Sequence, residues 1–295
     1  MKCGFVALVG KPNSGKSTLL NHLLLEKIAI VSDKPQTTRS EIRGILTTED
    51  MQIIFTDTPG IHKAFNRLST RLNKEATTVL KGVDVIYYVV DGTTKFDDED
   101  EAIIQMIKNA GLPVFLIFNK IDKLKKENVL KSLLFWKDQY EFNEIFPLSA
   151  LKQDDFKDLL TTTASYLPES EQFYPTEMIT DSPIDFRIAE LIREKILLNT
   201  HEEVPHAVAV YIENKEMEED ACHIDALVLV EKDGQKAIII GKQGSMLQKI
   251  IYEASKEIEI LLDQKVSLDI FVRVEKDWRQ KDHRISELGY GLTDE

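Results

Sequence analysis

The stretch Gly10-Lys11-Pro12-Asn13-Ser14-Gly15-Lys16-Ser17 constrains this chain more than any other. It fits G-x-x-x-x-G-K-[ST], a loop whose glycines let successive backbone N–H groups curl toward phosphate oxygens. Such a loop works between a strand and a helix, because the helix start adds its positive end to the same anion. That context is present: Gly4–Val9 reads as a strand and Lys16–Leu25 carries a helical pattern. Gly10 to Ser17, with Thr18 after them, are therefore candidate nucleotide-binding residues. Lys16 would reach the β- and γ-phosphates as a point charge, and Ser17 would ligate Mg²⁺.

Two further motifs follow at strand ends, where open α/β sheets bind ligands. Asp57-Thr58-Pro59-Gly60 closes the run Gln52–Asp57; its carboxylate can hold a Mg²⁺-bound water, and the Gly60 N–H can sense a γ-phosphate. Asn119-Lys120-Ile121-Asp122 ends Val114–Asn119. The Asp122 carboxylate can accept two hydrogen bonds from guanine N1–H and its 2-amino group, a pair of donors adenine lacks. Asn119 and Lys120 would brace the base and the phosphate loop, and Ser149-Ala150 is placed to offer a backbone N–H to the guanine carbonyl. In the polar loop Lys34-Pro35-Gln36-Thr37-Thr38-Arg39 one threonine should reach Mg²⁺; Thr38 is the first choice and Thr37 the second. Lys16, Thr38, Gly60 and Asn13 are the candidate catalytic set.

The first 165 residues alternate β-rich and helical stretches, with further strands at Ile42–Leu46, Val83–Val90 and Glu144–Leu148. Helical patterns fall near Leu68–Leu80, Glu99–Asn109, Asn128–Gln139 and Asp154–Ala164. Near-continuous apolar strands imply a mostly parallel sheet covered by helices on both faces. The gap between Ile42–Leu46 and Gln52–Asp57 is too short for a crossover helix, so that pair should be antiparallel, on one edge. Pro168, Pro175 and Pro183 mark a linker over 168–183, after a first domain of 1–167. Residues 184–295 then read as an α+β module in the order α-β-β-α-β: a helix around Asp185–Leu198, strands Ala207–Glu213 and Ile224–Glu231, an apolar run Ala237–Ile240, a long helix Ser245–Leu262 and a strand Val266–Val274.

Charge divides along the same line. The chain carries a net −13, yet residues 1–170 hold 22 basic and 23 acidic side chains while 171–295 hold 15 and 27. A general nucleic-acid coat is excluded, and RNA binding by the second half must work against its own acidity. No apolar run reaches the roughly 18 residues of a membrane span. The two cysteines, Cys3 and Cys222, offer no disulfide framework and fit a reduced, cytoplasmic setting. The histidines show no zinc spacing. Asp97-Asp98-Glu99-Asp100-Glu101 reads as a carboxylate-rich helix start, and Glu216–Asp220 as a solvated hairpin loop.

The ordered motifs resemble the translation-factor-like class of P-loop GTPases. Ras-like members carry Gln directly after D-x-x-G to orient the attacking water; here Ile61 holds that place. The chain thus resembles GTPases in which a hydrophobic residue replaces that glutamine, a group whose P-loop Asn, matched by Asn13, is associated with K⁺ beside the phosphates. The resemblance implies slow GTP hydrolysis, faster in K⁺ than in Na⁺. Gly241-Lys242-Gln243-Gly244 before the long helix resembles the G-x-x-G loop of a type II KH domain, which clamps a nucleic-acid backbone. With Lys249, these four are the candidate RNA-binding residues.

Taken whole, the chain resembles the Era family of bacterial ribosome-assembly GTPases. Gln36-Thr37-Thr38-Arg39, Asp57 through Lys63, Glu203-Val204-Pro205, Asp277-Trp278-Arg279 and Leu288-Gly289-Tyr290 carry the likeness. It implies GTP and GDP with Mg²⁺ as ligands, and binding near the 3′ end of 16S-type ribosomal RNA on the 30S subunit. It also implies a monomer, cytoplasmic or peripheral at the inner membrane face. Gln243 departs from the usual Gly-Lys-Gly-Gly, and Ser255 stands where a basic residue is expected; both weaken the electrostatic attraction for RNA. Two other functions compete: a metabolic phosphotransferase, against which the guanine motif argues, and a membrane-associated regulatory GTPase whose C-terminal module binds protein.

Overall fold

The computed structural model describes residues 1–34, 37–61, 66–153, 155–218 and 221–290, apart from the side chain of Glu75. Gln36, His62, Lys63, Asp154 and the Glu219–Asp220 end of the acidic run lie outside the described residues. The chain divides into two compact units, one mainly from residues 1–181 and one mainly from 182–295, with 30–37 and 66–68 clustering with the second.

In the first unit the elements are β1 (Lys2–Val9), α1 (Lys16–Leu24), β2 (Ile42–Thr47), β3 (Met51–Asp57), α2 (Arg67–Val79), β4 (Val85–Asp91), α3 (Asp98–Ala110), β5 (Val114–Asn119), α4 (Lys126–Lys137), β6 (Glu144–Pro147) and α5 (Lys157–Tyr166). The sheet runs β2-β3-β1-β4-β5-β6. Five strands are parallel, and β2 pairs antiparallel with β3 on the edge, as the short connection required. Its turn closes with Thr48 N–H donating to Met51 O at 2.8 Å.

Burial on both sheet faces is visible within β4. Tyr87 packs against Phe55 and Phe115, while its neighbour Tyr88 packs on the opposite side against Trp136 and Phe142. Both rings are fully buried, and both hydroxyls find partners: Thr163 Oγ1 for Tyr87 and Asp100 Oδ1 for Tyr88. The carboxylate-rich start of α3 is a capping box in which the Asp97 side chain accepts from the N–H groups of Glu99 and Asp100.

The proline-marked stretch packs along the first unit. Gln52, wholly buried, accepts from the N–H groups of Phe173 and Tyr174 and donates to Tyr174 O. Further on, Ile45 N–H donates to Ile179 O at 2.8 Å, and Arg43 pairs with Asp181 at 3.2 Å.

The second unit contains α6 (Ile184–Asn199), α7 (Val204–Ala207), β7 (Ala209–Met217), β8 (Ala221–Val230), α8 (Asp233–Ile240), α9 (Ser245–Leu262), β9 (Lys265–Val274) and α10 (Asp282–Glu287). Its sheet is β7-β8-β9, antiparallel then parallel. Ile188, Ile192 and Ile196 of α6 and Ile250, Ala254 and Ile258 of α9 bury against the β8 face of Ala226, Val228 and Val230. The observed order corrects the expected α-β-β-α-β. The run Ala237–Ile240 belongs to a helix, because Gln235 reaches back to accept from Glu231 and Lys232 N–H and secures the first turn. The strand expected from Ala207 starts at Ala209, since Pro205 opens a short helical turn before it. No helix among the described residues is long and apolar enough to cross a membrane.

Candidate functional site

The phosphate loop leaves β1 and enters α1 through Gly15, whose φ is 102°. A Cβ there would stand 2.1 Å from Asn119 Nδ2, so the position demands glycine on both conformational and steric grounds. Lys16 is buried, and its ammonium donates to Gly10 O and Lys11 O, each at 3.0 Å, bridging the loop. Burial lowers its pKa to about 8 against the opposing attraction of Asp57.

Ser17, Thr38 and Asp57 converge beside it. Ser17 Oγ donates to Asp57 Oδ2 at 2.5 Å and lies 3.0 Å from Thr38 Oγ1, which donates to the same carboxylate oxygen at 3.4 Å. Asp57 is fully buried, its pKa pushed up by that burial, with Lys16, Ser17 and Thr38 resisting. Its other oxygen, Oδ1, has no hydrogen-bond partner among the described residues, nor does the buried Ser14 Oγ. Two hydroxyls and one buried carboxylate with an unpartnered oxygen suit a hard cation that keeps water and phosphate in its remaining positions, as Mg²⁺ does. Among the described residues no group of three His, Cys, Asp or Glu side chains could hold a metal alone.

The adjacent threonine goes elsewhere. Thr37 Oγ1 donates to Lys34 O at 2.6 Å and lies 2.8 Å from Ser32 Oγ, and Thr37 O accepts from Arg193. Thr37, Thr38 and Arg39 are all buried. Gly60 lies on the phosphate loop: a Cβ would stand 2.6 Å from Pro12 N. Ile61 N–H donates to Gly10 O at 3.2 Å, and its side chain packs on the cluster around Val9, Ile86 and Phe118.

A second cluster joins the ends of β4, β5 and β6. Asn119 Nδ2 donates to Ser14 O at 2.8 Å, and its Oδ1 accepts from Ala150 N–H at 2.9 Å and Lys120 N–H at 2.7 Å. Lys120 Nζ reaches Asn13 O and Asp91 Oδ2, both at 2.6 Å. Asp122 accepts from Ser149 Oγ at 2.7 Å, which with Lys152 holds its carboxyl below the usual range. Asn13 is exposed with φ 61°, a conformation asparagine tolerates. Thr18 follows on α1, half-buried.

Three residues escaped the sequence reading. Asp91 had a signal, a polar side chain ending an apolar strand, as Asp57 and Asn119 do. Asp97 and Asp100 were read only as helix-start charge, yet both hold the Lys11 ammonium, at 2.9 and 2.7 Å.

In the second unit Gly241, Lys242, Gln243 and Gly244 form the turn between α8 and α9, with φ of 71° at Gly241, 52° at Gln243 and 80° at Gly244. Lys242 and Gln243 are exposed. Lys249 lies on the exposed face of α9, 3.8 Å from Glu253, so part of its charge is already countered. A separate groove is lined by Lys236 and Asp233 of α8, by Phe271 and Arg273 of β9 and by Glu213 of β7.

Comparison with known proteins agrees with both units. A family model described as "50S ribosome-binding GTPase" matches residues 5–120, and a KH-domain model matches residues 203–279. GTPase Era of Lacticaseibacillus paracasei is 46% identical over 292 residues, covering 99% of this chain and 97% of that protein. A variant of Era from Aquifex aeolicus bound to GDP and AlF4⁻ superposes with a TM-score of 0.95 at 40% identity, covering 99% of this chain and 100% of that one. Era in complex with MgGDPNP and nucleotides 1506–1542 of 16S ribosomal RNA gives a TM-score of 0.96 at 40% identity, with the same coverage.

Proposed function

The chain belongs to the Era family of GTPases, and from that membership we propose that it is a GTP-hydrolysing switch that binds small-subunit ribosomal RNA near its 3′ end and acts in 30S subunit assembly. The observation that carries the reading is the convergence of Ser17, Thr38 and Asp57 next to the Lys16 ammonium, on the same C-terminal edge of the sheet as Asn119 and Asp122.

In this reading the backbone N–H groups of residues 13–18 cradle the phosphates, and Lys16 exchanges its two carbonyl partners for β- and γ-oxygens. Ser17 and Thr38 ligate Mg²⁺ and Asp57 holds one of its waters; the ion supplies charge neutralisation at the β- and γ-phosphates. Asp122 accepts from guanine, and Asn119 and Lys120 brace the loop beneath the base, Asn119 also taking the Ala150 N–H that the sequence offered to the base carbonyl. Gly60 senses the γ-phosphate through its N–H and relaxes when it leaves. With the partly buried Ile61 side chain packed against the core, no side chain at that position orients water, and intrinsic hydrolysis is slow. Asn13 is the residue that would hold K⁺ beside the phosphates, adding positive charge where the transition state spreads negative charge.

RNA binding falls to the Gly241–Gly244 turn, which brings backbone and Lys242 to phosphate, and to Lys249. The exposed Phe271 ring offers a face for a base, and Lys236 and Arg273 offer charge in an otherwise acidic half. The protein acts as a cytoplasmic monomer. Any peripheral membrane contact falls to α4, whose exposed Leu130, Leu134 and Phe135 stand among Lys126, Lys131 and Lys137.

The test is calorimetry with GDP and ADP in Mg²⁺ buffer, followed by phosphate release in K⁺ and in Na⁺. Tight GDP binding without ADP binding, and faster turnover in K⁺, are expected. Equal affinity for the two nucleotides overturns the guanine assignment, and equal rates in the two salts overturn the K⁺ role. Titration with a 16S 3′-end oligoribonucleotide at low and high salt tests the second unit; no binding at low salt would favour a protein-binding module.

A further inference from the structure

Lys11 occupies a variable position of the phosphate-loop motif, where a lysine would be expected to add charge to the phosphates. Its side chain instead turns to the start of α3. The ammonium is held by Asp100 at 2.7 Å and Asp97 at 2.9 Å and is only 15% exposed. Asp100, almost wholly buried, is itself fastened: Oδ1 accepts from Tyr88 Oη at 2.9 Å and Oδ2 from Asp97 N–H at 3.1 Å. Desolvation works against the Lys11 charge, but the two carboxylates outweigh it and its pKa lies above the ordinary value. The clasp therefore ties the phosphate loop to a capped helix and a core strand.

The residues it ties down carry other contacts. Gly10 O accepts from both Lys16 Nζ and Ile61 N–H, Lys11 O accepts from Lys16 Nζ, and Pro12 is the surface against which Gly60 rests. A shift of this three-residue arm would move the ammonium and the γ-phosphate-sensing backbone together.

Resting on the GTPase reading above, we propose that Lys11 is a positioning residue for hydrolysis, whose ion pairs with Asp97 and Asp100 set the Gly10–Pro12 arm that places Lys16 and Gly60. Its ammonium is spent on Asp97 and Asp100, so it acts through the arm. Its effect belongs to the transition state, where a displacement of about 1 Å costs up to about a hundredfold, more than to ground-state nucleotide binding.

The experiment is steady-state GTP hydrolysis by the full chain carrying Lys11→Met, Lys11→Arg, Asp97→Asn and the Lys11→Met/Asp97→Asn pair. Lys11→Met keeps the aliphatic stem and leaves Asp100 its hydrogen bonds from Tyr88 Oη and Asp97 N–H, and the half-exposed Asp97 tolerates Asn; melting temperatures of all four variants separate a folding defect from a rate defect. Lys11→Met is expected to lower kcat roughly tenfold while KM for GTP moves less than about twofold. Lys11→Arg should restore most of the rate, since a guanidinium can span both carboxylates, and the double variant should be no slower than Lys11→Met. A Lys11→Met enzyme with wild-type kcat, a Lys11→Arg enzyme as slow as Lys11→Met, or penalties that multiply in the double variant would each overturn the proposal. Wild-type protein that turns over no GTP in the same assay would instead overturn the GTPase reading itself.

Discussion

Thr38 Oγ1 stands 3.0 Å from Ser17 Oγ, and both hydroxyls point at the same oxygen of Asp57. Thr37, one peptide away, is engaged with Ser32 and Lys34. Thr38→Ala should therefore cut GTP turnover by about 30- to 100-fold, the scale of losing one group that meets charge developing in the transition state. Thr37→Ala should stay within about threefold. Phosphate-release kinetics on the two variants separate the roles, and equal losses would refute the assignment.

Asp122 is held as an anion by Ser149 and Lys152, ready to accept two hydrogen bonds. Asp122→Asn replaces one acceptor with a donor and faces it to the guanine 2-amino group. GDP affinity should drop about a hundredfold, or ~2.7 kcal/mol, while xanthosine diphosphate, with an oxygen at that place, should gain. Calorimetry with the two nucleotides reads the exchange directly.

Lys16 titrates near pH 8 because of its burial. A polyphosphate favours the charged amine, so GDP binding between about pH 8 and 10 should take up protons, and affinity should fall by up to about tenfold per pH unit. Calorimetry at pH about 8.5 in two buffers of different ionisation heat measures the uptake; Lys16→Arg should abolish it. Without nucleotide the sign for folding is the reverse. The unfolded chain keeps its lysine protonated up to about 10.5 and binds more protons in this window, so Lys16 makes stability rise with pH from about 8 to 10.5.

Asn119 satisfies three backbone groups, one in each of the Ser14, Lys120 and Ala150 segments. Asn119→Ala leaves them unpaired in a buried place and should cost about 1–3 kcal/mol. A melting temperature lower by several degrees in differential scanning fluorimetry is expected. An unchanged melting temperature would show that water replaces the amide at no cost.

Gln243 is exposed at the turn where a basic residue would meet phosphate. Gln243→Lys should tighten single-stranded RNA binding and steepen its dependence on salt by roughly one phosphate contact, a slope change of about 0.7. Lys242→Ala should do the opposite. Fluorescence anisotropy at several salt concentrations measures both slopes, and parallel lines would exclude the turn from the RNA path.

Much of the nucleotide site was legible in the residue order because its parts are local. A phosphate loop needs its glycines, lysine and serine within eight residues, and Asp57 and Asn119 each end an apolar strand that names its own position in the sheet. The edge hairpin was legible too, since chain length alone forbids a crossover between β2 and β3. The helix α8 was not. Three consecutive isoleucines at Ile238–Ile240 suit a strand equally well, and the side chain of Gln235 had to fold back before helix won.

The amino-acid order by itself determined that this chain makes a phosphate-binding α/β unit selective for guanine and then a separate α+β module, because spacing and periodicity act over a few residues. Only the tertiary structure decided which threonine meets Ser17, that Asp91 steadies Lys120, and that Lys11 serves α3 rather than phosphate. Those choices depend on groups brought together from up to 89 positions apart, and neither propensity nor pattern carries distance in space.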